Sequence, residues 1–205
     1  MRVPALAILL ATAAAAISSA ETTEEADPQL VAVRGLITRI VAPGRSGSGL
    51  TLASRFELKL LAAAECSVLS KTGLCFGYRR GSSDGAVLLE GTTGVELAMA
   101  FNHYLKHIAN CSVSWRQTGG NQVNLPAVLP LPPAAALRLD RTSKWSYYAN
   151  VCTFSYSFVW YDLDAWVREI DWMAMNGINL PREPHASPRK HCLPSSVCPS
   201  SSANR

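Results

Sequence analysis

The sequence of 205 residues is short of the groups that bind metals. It has four histidines and six cysteines, and no two cysteines stand in a CxxC spacing. The histidines are not placed to complete a zinc site with them, so we expect no bound metal and no metal cofactor. Lysine and arginine form no cluster and the net charge is only +4. The sequence therefore predicts no nucleic-acid partner.

Long apolar runs are missing after residue 20. The one such run, Ala5–Ile17, follows Met1-Arg2 and precedes the small residues Ser18-Ser19-Ala20. This is the pattern of a secretory signal peptide over residues 1–20. The alternative is an N-terminal membrane anchor, but the run is shorter than the ~20 residues that span a bilayer. We expect cleavage after Ala20, entry into the secretory pathway and no later contact with a membrane.

The six cysteines suit an oxidising compartment, because their even number allows disulfide bonds. Their spacing does not fix which cysteines pair. Asn110-Cys111-Ser112 is a formal acceptor for N-glycosylation, so Asn110 is a candidate glycosylation site.

Residues 50–125 are predicted to form a small α+β domain. Strands are expected over residues 74–78 and 86–90, joined by a turn at residues 81–85. A helix is expected from Thr93 to about His107, with Thr93 as N-cap and Glu96 as its capping-box partner. Further strands are predicted over residues 111–115 and 121–125, with the helix on one face of the sheet. His103 and His107 lie one helical turn apart without a third ligand, so we expect surface or partly packed side chains.

The segments that flank this domain are expected to be irregular. Residues 21–49 begin acidic and end in a glycine- and serine-rich loop, which predicts a flexible N-terminal segment. Four prolines fall within residues 126–133, and proline is excluded from central strands and helix interiors. Residues 126–143 are therefore predicted to be a linker at a domain boundary.

Residues 144–181 have the pattern of a strand, an aromatic loop, an amphipathic helix and a second strand. The first strand is expected over residues 147–152, and Asp162 is expected to cap the helix that Asn176-Gly177 ends. Such a unit begins a larger barrel, with the helix outside and the loop on the active face. We expect three charged residues of the helix to point outward: Arg168, Glu169 and Asp171. The helix's apolar positions follow the i, i+3, i+4, i+7 spacing: Leu163, Trp166, Val167, Ile170, Met173 and Ala174.

Residues 182–205 change in composition. They are rich in proline and serine and contain no aromatic residue, a composition that cannot bury a core and predicts disorder. Such a tail is typical of an altered reading frame or a retained intron, and a purposeful secreted tail is the alternative.

Several motifs share one resemblance. They are EGTTGVELA at 90–98, HYLK at 103–106, YYANVCT at 147–153, SYSFVW at 155–160 and, most specifically, REIDWMAMNGINL at 168–180 after Trp166. Together they closely resemble the α-N-acetylglucosaminidases, which form glycoside hydrolase family 89. The resemblance covers roughly residues 50–181 and ends after about Pro181.

The resemblance implies an α+β N-terminal domain, then a TIM-type (β/α) barrel with the catalytic site, then a helical domain. The implied activity is retaining exo-hydrolysis of terminal α-linked N-acetylglucosamine, as in heparan sulfate degradation in a lysosome or vacuole. No cofactor is implied, and the implied partner is a glycan that ends in N-acetylglucosamine. The family's catalytic glutamates lie on later barrel strands, so we expect a truncated chain without catalytic residues, inactive alone.

The resemblance also makes Asn150 and Cys152 candidate substrate-binding residues, since they lie at the end of the first barrel strand. Plain packing of that strand is the alternative, and the sequence does not decide between the two. A different class of function also stays open, namely a secreted, non-catalytic module that binds carbohydrate or protein. Whether such a chain is extracellular or lysosomal, and its oligomeric state, are not fixed by the sequence.

Overall fold

The computed structural model describes residues 27–44, 47–149 and 160–182. The signal peptide and most of the tail predicted from the sequence lie outside these residues. The described elements are, in chain order, α1 (Pro28–Val41), α2 (Gly47–Ser54), β1 (Phe56–Leu60), β2 (Cys75–Arg80), β3 (Val87–Gly91), α3 (Gly94–His107), β4 (Ser112–Val113), β5 (Asn121–Gln122), β6 (Leu137–Asp140), β7 (Tyr147–Ala149), α4 (Leu163–Met175) and β8 (Leu180–Arg182). Among these helices, none combines the length and hydropathy that crossing a bilayer requires.

A four-stranded mixed sheet forms the first part of the fold. Its strand order is β1-β3-β2-β6. Strands β1 and β3 run parallel, whereas β2 is antiparallel to both of its neighbours. Gly77 lets β6 approach β2, because a Cβ atom at this position would lie 2.0 Å from the Leu137 carbonyl oxygen.

Helices α1 and α3 and the sheet enclose the main hydrophobic core. Phe56 of β1 is completely buried and meets Phe101 and Tyr104 of α3 edge to face, with ring centroids 5.2 and 5.5 Å apart. Edge-to-face contacts of this kind are the preferred geometry of aromatic pairs. A smaller cluster forms where the Cys66–Cys75 disulfide and Leu61 meet. The disulfide ties the loop after β1 to the first residue of β2.

The predicted flexible segment at residues 21–49 is wrong where the structure describes it. Helix α1 occupies residues 28–41, and α2 begins at Gly47. The side chain of Asp27 caps α1 by accepting a hydrogen bond from the Gln29 amide, and proline follows at the first helical position. The buried residues have helical spacing and join the main core: Val33, Leu36, Ile37 and Ile40.

The predicted linker at residues 126–143 is irregular only in part. Its last part forms β6, which pairs with β2 from Cys75↔Asp140 to Tyr78↔Leu137 and completes the sheet. Leu129 lies between the prolines yet is buried in the main core. The prolines end at residue 133, before the strand begins, so they exclude a central strand only from the first half of the segment.

The other predicted elements are found close to their expected positions. Strands β2 and β3 form the antiparallel hairpin, and α3 begins after Thr93, whose hydroxyl oxygen accepts from the Val95 amide. The strands predicted near residues 113 and 122 are reduced to a small hairpin, β4–β5, outside the main sheet. Strand β7, helix α4 and strand β8 form the predicted unit, in which β7 and β8 are parallel and Tyr147 pairs with Leu180.

Candidate functional site

The carboxyl end of β7 is the candidate sugar site predicted from the sequence. The structure describes β7 from Tyr147 to Ala149, and both candidate binding residues, Asn150 and Cys152, lie outside the described residues. Trp160 is the first described residue after this gap. It lies just before α4 and is 87% exposed. What the structure defines is therefore the set of contacts that positions β7 and α4 against the α+β domain.

Glu169 of α4 is the first of these contacts. Its Oε1 atom accepts a hydrogen bond of 3.0 Å from the hydroxyl group of Tyr148 in β7, and the side chain of Trp115 lies close enough to favour the charged carboxylate. The ring of Trp172 lies 5.8 Å from that of Trp115 and 6.0 Å from that of Tyr148. A residue after β4 in the α+β domain, a barrel-type strand and its helix thus meet at one carboxyl group.

Burial dominates the chemistry of this group. Desolvation raises the pKa of Glu169, and the hydrogen bond from Tyr148 and the nearby Trp115 side chain oppose that rise. Burial raises the pKa of Tyr148 as well, and the nearby Glu169 carboxylate adds to the effect. Tyr148 therefore stays a neutral hydroxyl donor throughout the physiological pH range.

The prediction that Glu169 and Asp171 point outward is wrong. They are only 5% and 4% exposed, whereas the predicted core residues Leu163 and Ile170 are 53% and 57% exposed. Asp171 accepts two hydrogen bonds of 2.7 Å from Arg39 of α1, in the two-pronged arrangement that suits a guanidinium and a carboxylate. The buried face of α4 is therefore mixed: Glu169 and Asp171 lie inside beside the buried Met173 and Met175, because both carboxylates have partners there.

Arg141 makes the second junction. Its guanidinium donates a hydrogen bond of 2.7 Å to Oε1 of Glu96 in α3. It donates another, of 2.8 Å, to the carbonyl oxygen of Gly177, which follows α4. Asn102 of α3 adds a bond of 2.8 Å to the Met175 carbonyl oxygen. Side chains thus satisfy carbonyl groups at the end of α4, which a helix leaves without internal partners.

Glu96 therefore has a different role from the predicted one. As a capping-box residue it would bond the backbone amide of Thr93. Instead its carboxylate binds Arg141 and accepts from the hydroxyl group of Thr93. The side chains of Glu96 and Arg141 are 1% and 6% exposed, which makes this a buried ion pair.

Buried carboxylates elsewhere in the described chain also have structural partners. Glu90 of β3 lies 2.9 Å from Arg138 and 3.4 Å from Arg79. Together with Glu96 and Asp171, it is held by an arginine. These carboxylates are at most 4% exposed, so they are closed to a sugar at the surface.

Groups with metal-ligand chemistry are engaged in other ways. Cys66, Cys75 and Asp140 have ligand atoms within 4.8 Å of one another, but the two sulfur atoms form the disulfide and offer no thiolate. His103 is half-buried, with Nδ1 3.1 Å from the Tyr78 hydroxyl, and its ring lies 4.0 Å from that of the exposed His107. Burial lowers the pKa of His103. The expectation of surface and partly packed histidines is confirmed.

Asn110, the predicted glycosylation site, lies directly after α3. It is exposed and has a positive φ of 51°, a conformation that asparagine tolerates better than most residues. Its side chain is thus accessible, while the next residue, Cys111, is buried with a free thiol.

Sequence reasoning missed the contacts that Arg39, Trp115 and Arg141 make across this junction. Their partners lie far away in the sequence, 132 residues in the case of Arg39, so no local pattern reveals them. One local pattern was available for Glu169. It shares a helical face with Trp172 and Met173, three and four positions later, which favours a buried position.

Comparison with known proteins gives two consecutive family matches. Residues 31–131 match the model described as the alpha-N-acetylglucosaminidase (NAGLU) N-terminal domain. Residues 146–187 match the model described as the alpha-N-acetylglucosaminidase (NAGLU) tim-barrel domain. Strand β6, at the edge of the sheet, lies between the two matched ranges, so neither family model includes it.

Individual relatives agree with these matches. Over 176 residues the chain is 38% identical to human alpha-N-acetylglucosaminidase. This alignment covers 86% of this chain and 21% of the human protein. The family 89 glycoside hydrolase from Clostridium perfringens, solved in complex with PUGNAc, has a TM-score of 0.61 and 28% identity. The similarity covers 75% of this chain and 15% of the bacterial chain. The same bacterial enzyme in complex with its substrate GlcNAc-alpha-1,4-galactose gives a TM-score of 0.59 and 29% identity over the same shares.

The order of the elements agrees with the order of the two matched domains. The mixed sheet and its helices correspond to the N-terminal domain, and β7, α4 and β8 to the beginning of a TIM barrel, which the chain covers only in part. The chain therefore belongs to the α-N-acetylglucosaminidase family, glycoside hydrolase family 89.

Proposed function

We propose that this chain forms the N-terminal domain and the start of the barrel of a glycosidase that removes terminal α-linked N-acetylglucosamine with retention of configuration. The observation that carries the proposal is the parallel β7–α4–β8 unit, docked through Arg141 and Asp171 on a domain of the matching family. In a TIM barrel the substrate binds at the carboxyl ends of the strands. Asn150 and Cys152, which follow β7, are the residues we assign to the sugar pocket.

The chemistry itself needs more than these residues. A retaining glycosidase uses two carboxyl groups about 5–5.5 Å apart, one as the nucleophile and one as the acid and base. The carboxylates of Glu90, Glu96 and Asp171 are unsuited to either role, because they are buried and cannot reach a sugar. We infer that the 205 residues do not hydrolyse glycans by themselves, and that this segment positions the first barrel strand for carboxylates supplied from elsewhere.

The purified chain is expected to release no aryl group above the blank from a chromogenic α-N-acetylglucosaminide. The human relative, assayed in parallel, is the positive control for the substrate. Turnover that persists through repurification and co-elutes with the chain would contradict the absence of a catalytic pair. In that case, Glu169→Gln and Asp171→Asn variants would show whether either carboxylate is responsible.

A glycan-binding assay separates this proposal from a non-catalytic module. Immobilised glycans ending in α-linked N-acetylglucosamine are compared with matched glycans ending in α-linked galactose. Selective capture without hydrolysis would favour a carbohydrate-binding role for this chain. Equal retention on both glycans would remove the binding module as an alternative.

We infer that the chain acts within the secretory pathway, with a lysosome or vacuole as the destination implied by the family. Two features support this inference: the Cys66–Cys75 disulfide, which persists in oxidising compartments, and the accessible asparagine at position 110. The apolar run at residues 5–17 adds a sequence pattern for entry.

When the chain is expressed in secreting eukaryotic cells, we expect one N-linked glycan on Asn110. Peptide-N-glycosidase F should increase the electrophoretic mobility of the wild-type chain, and Asn110→Gln should match the treated form without enzyme. Asn110 begins the sole N-x-[ST] acceptor in the sequence. Ser112→Ala should lose the glycan and Ser112→Thr should keep it, so a wild-type chain unaffected by the enzyme would disprove the site.

A further inference from the structure

Glu169 is buried and has no arginine partner among the residues that the structure describes, unlike the other buried carboxylates at the junction. Glu96 and Asp171 each bind a guanidinium, but the partners of Glu169 are neutral: the Tyr148 hydroxyl group, which donates a hydrogen bond to it, and the nearby Trp115 side chain. Neutral hydrogen bonds compensate only part of the cost of burying a charge. The carboxyl group therefore holds three elements together at a position where its own ionisation is costly.

The charged groups around Glu169 do not remove this cost. On α4, Arg168 is exposed and Asp171 is paired with Arg39. On the side of the α+β domain, Arg116 follows Trp115 and is exposed, and β7 contributes the hydroxyl group of Tyr148. Desolvation remains the leading influence on the pKa of Glu169 and raises it, and no cation counts among its causes.

We infer that Glu169 is a positioning residue that fixes β7 between α4 and Trp115, and that it holds this arrangement more firmly in acid than at neutral pH. The link to catalysis rests on the proposed function, in which the pocket begins where β7 ends. Tyr148 lies two residues before Asn150, so a shift of its hydroxyl group shifts the strand that leads into the pocket. An acidic lumen would thus stabilise the site in the compartment where the enzyme family works.

The direction of the pH effect follows from linkage. The pKa of Glu169 is raised in the folded state, so the unfolded chain loses this proton at lower pH than the folded chain does. The contribution of Glu169 is therefore most favourable below its ordinary pKa. It declines as the pH rises from that ordinary value through the raised folded value, and it is constant above.

The test uses the 205-residue chain with Glu169→Gln as the central variant. Glutamine accepts the hydrogen bond of Tyr148 but never ionises, so it mimics the protonated form. Thermal unfolding of both chains is followed from pH 4 to pH 8. The difference between their midpoints is taken at each pH, so that the titration of the other carboxyl groups cancels. We expect this difference to shift in favour of the glutamine variant as the pH rises through the raised pKa of Glu169, and then to level off.

A second measurement reads the position of the strand directly. Amide exchange at Tyr148 and Ala149 is expected to be faster at pH 7.5 than at pH 5 in the wild type, after correction for intrinsic exchange. In Glu169→Gln the corrected rates should agree at the two pH values. Tyr148→Phe, which lacks the hydroxyl donor, should exchange faster at both. These measurements involve no glycan. The inference about Glu169 can therefore be disproved while the proposed function holds, and the proposed function can be disproved while the inference holds.

Two results would overturn the inference. One is a constant difference in midpoint between wild type and Glu169→Gln across the pH range. The other is a titration of the Glu169 carboxyl carbon, followed by NMR in the wild-type chain, with its midpoint at or below the ordinary value of about 4.3. The NMR titration needs no variant, so it decides the matter even if the glutamine variant folds poorly.

Discussion

Arg141→Ala is expected to lower the free energy of unfolding by about 3–5 kcal/mol, because removing one partner of a buried ion pair leaves the other charge uncompensated. Arg141 and Glu96 are 6% and 1% exposed, and their bond is 2.7 Å long. The substitution also removes the donor to the Gly177 carbonyl oxygen, so it loosens the end of α4 as well as the start of α3. Urea unfolding of the 205-residue chain, followed by tryptophan fluorescence, measures the loss.

Arg79→Ala is the matched control for this prediction. Arg79 also pairs with a buried carboxylate, but it is 46% exposed, its contact is 3.4 Å long, and Arg138 remains beside Glu90. Exposed pairs contribute about 0–1 kcal/mol, so we expect a loss within that range. Equal losses for the two variants would show that the burial of the Arg141 pair has no special weight. The double variant Arg141→Met with Glu96→Gln should recover part of the loss, since it removes both charges.

Phe56→Ala is expected to cost about 3–5 kcal/mol of unfolding free energy, the range for removing a buried aromatic ring. Phe56 is 0% exposed and lies at the start of β1, where it contacts the rings of Phe101 and Tyr104. The cavity would open at the centre of the core, between β1 and α3. The rings of Phe101 and Tyr104 are themselves completely buried and closely packed, so they cannot easily collapse into it.

The same urea titration tests this prediction with two comparisons. Phe56→Leu keeps most of the volume and should cost clearly less than the alanine variant, because much of the buried apolar area remains. Val68→Ala changes a residue that is 100% exposed and should stay within about 0.5 kcal/mol of the wild type. A loss for Phe56→Ala no larger than that for Val68→Ala would contradict the assigned core.

Local patterns predicted the helices that carry clear end residues. Thr93 and Asp162 cap α3 and α4, and the apolar residues of these helices repeat at helical spacing, so both were found near their true bounds. Helix α1 has the same features, Asp27 with Pro28 and four buried apolar residues. It was missed because residues 30–41 alternate loosely between helix and strand patterns, and a glycine- and serine-rich loop follows them.

The remaining errors concern contacts between distant parts of the chain. Strand β6 is four residues long and gains its stability from pairing with β2, about sixty residues earlier, which no local propensity contains. Asp171 was predicted to face solvent because charged residues usually do, but its partner Arg39 lies 132 residues away. The resemblance identified the family and the candidate pocket residues, whereas the junction around Glu169 and Arg141 emerged only from the three-dimensional arrangement.

The late position of β6 has a consequence for biosynthesis. While a ribosome has extended only the first ~130 residues, β2 lacks its outer neighbour, and an unpaired strand edge of this kind is a template for aggregation. The loop that must close before β6 can pair is long, and such pairings form slowly. The ion pair of Arg39 forms later still, because Asp171 must first be synthesised. Chaperones that bind extended segments would therefore protect the nascent chain most effectively in the interval between these two events.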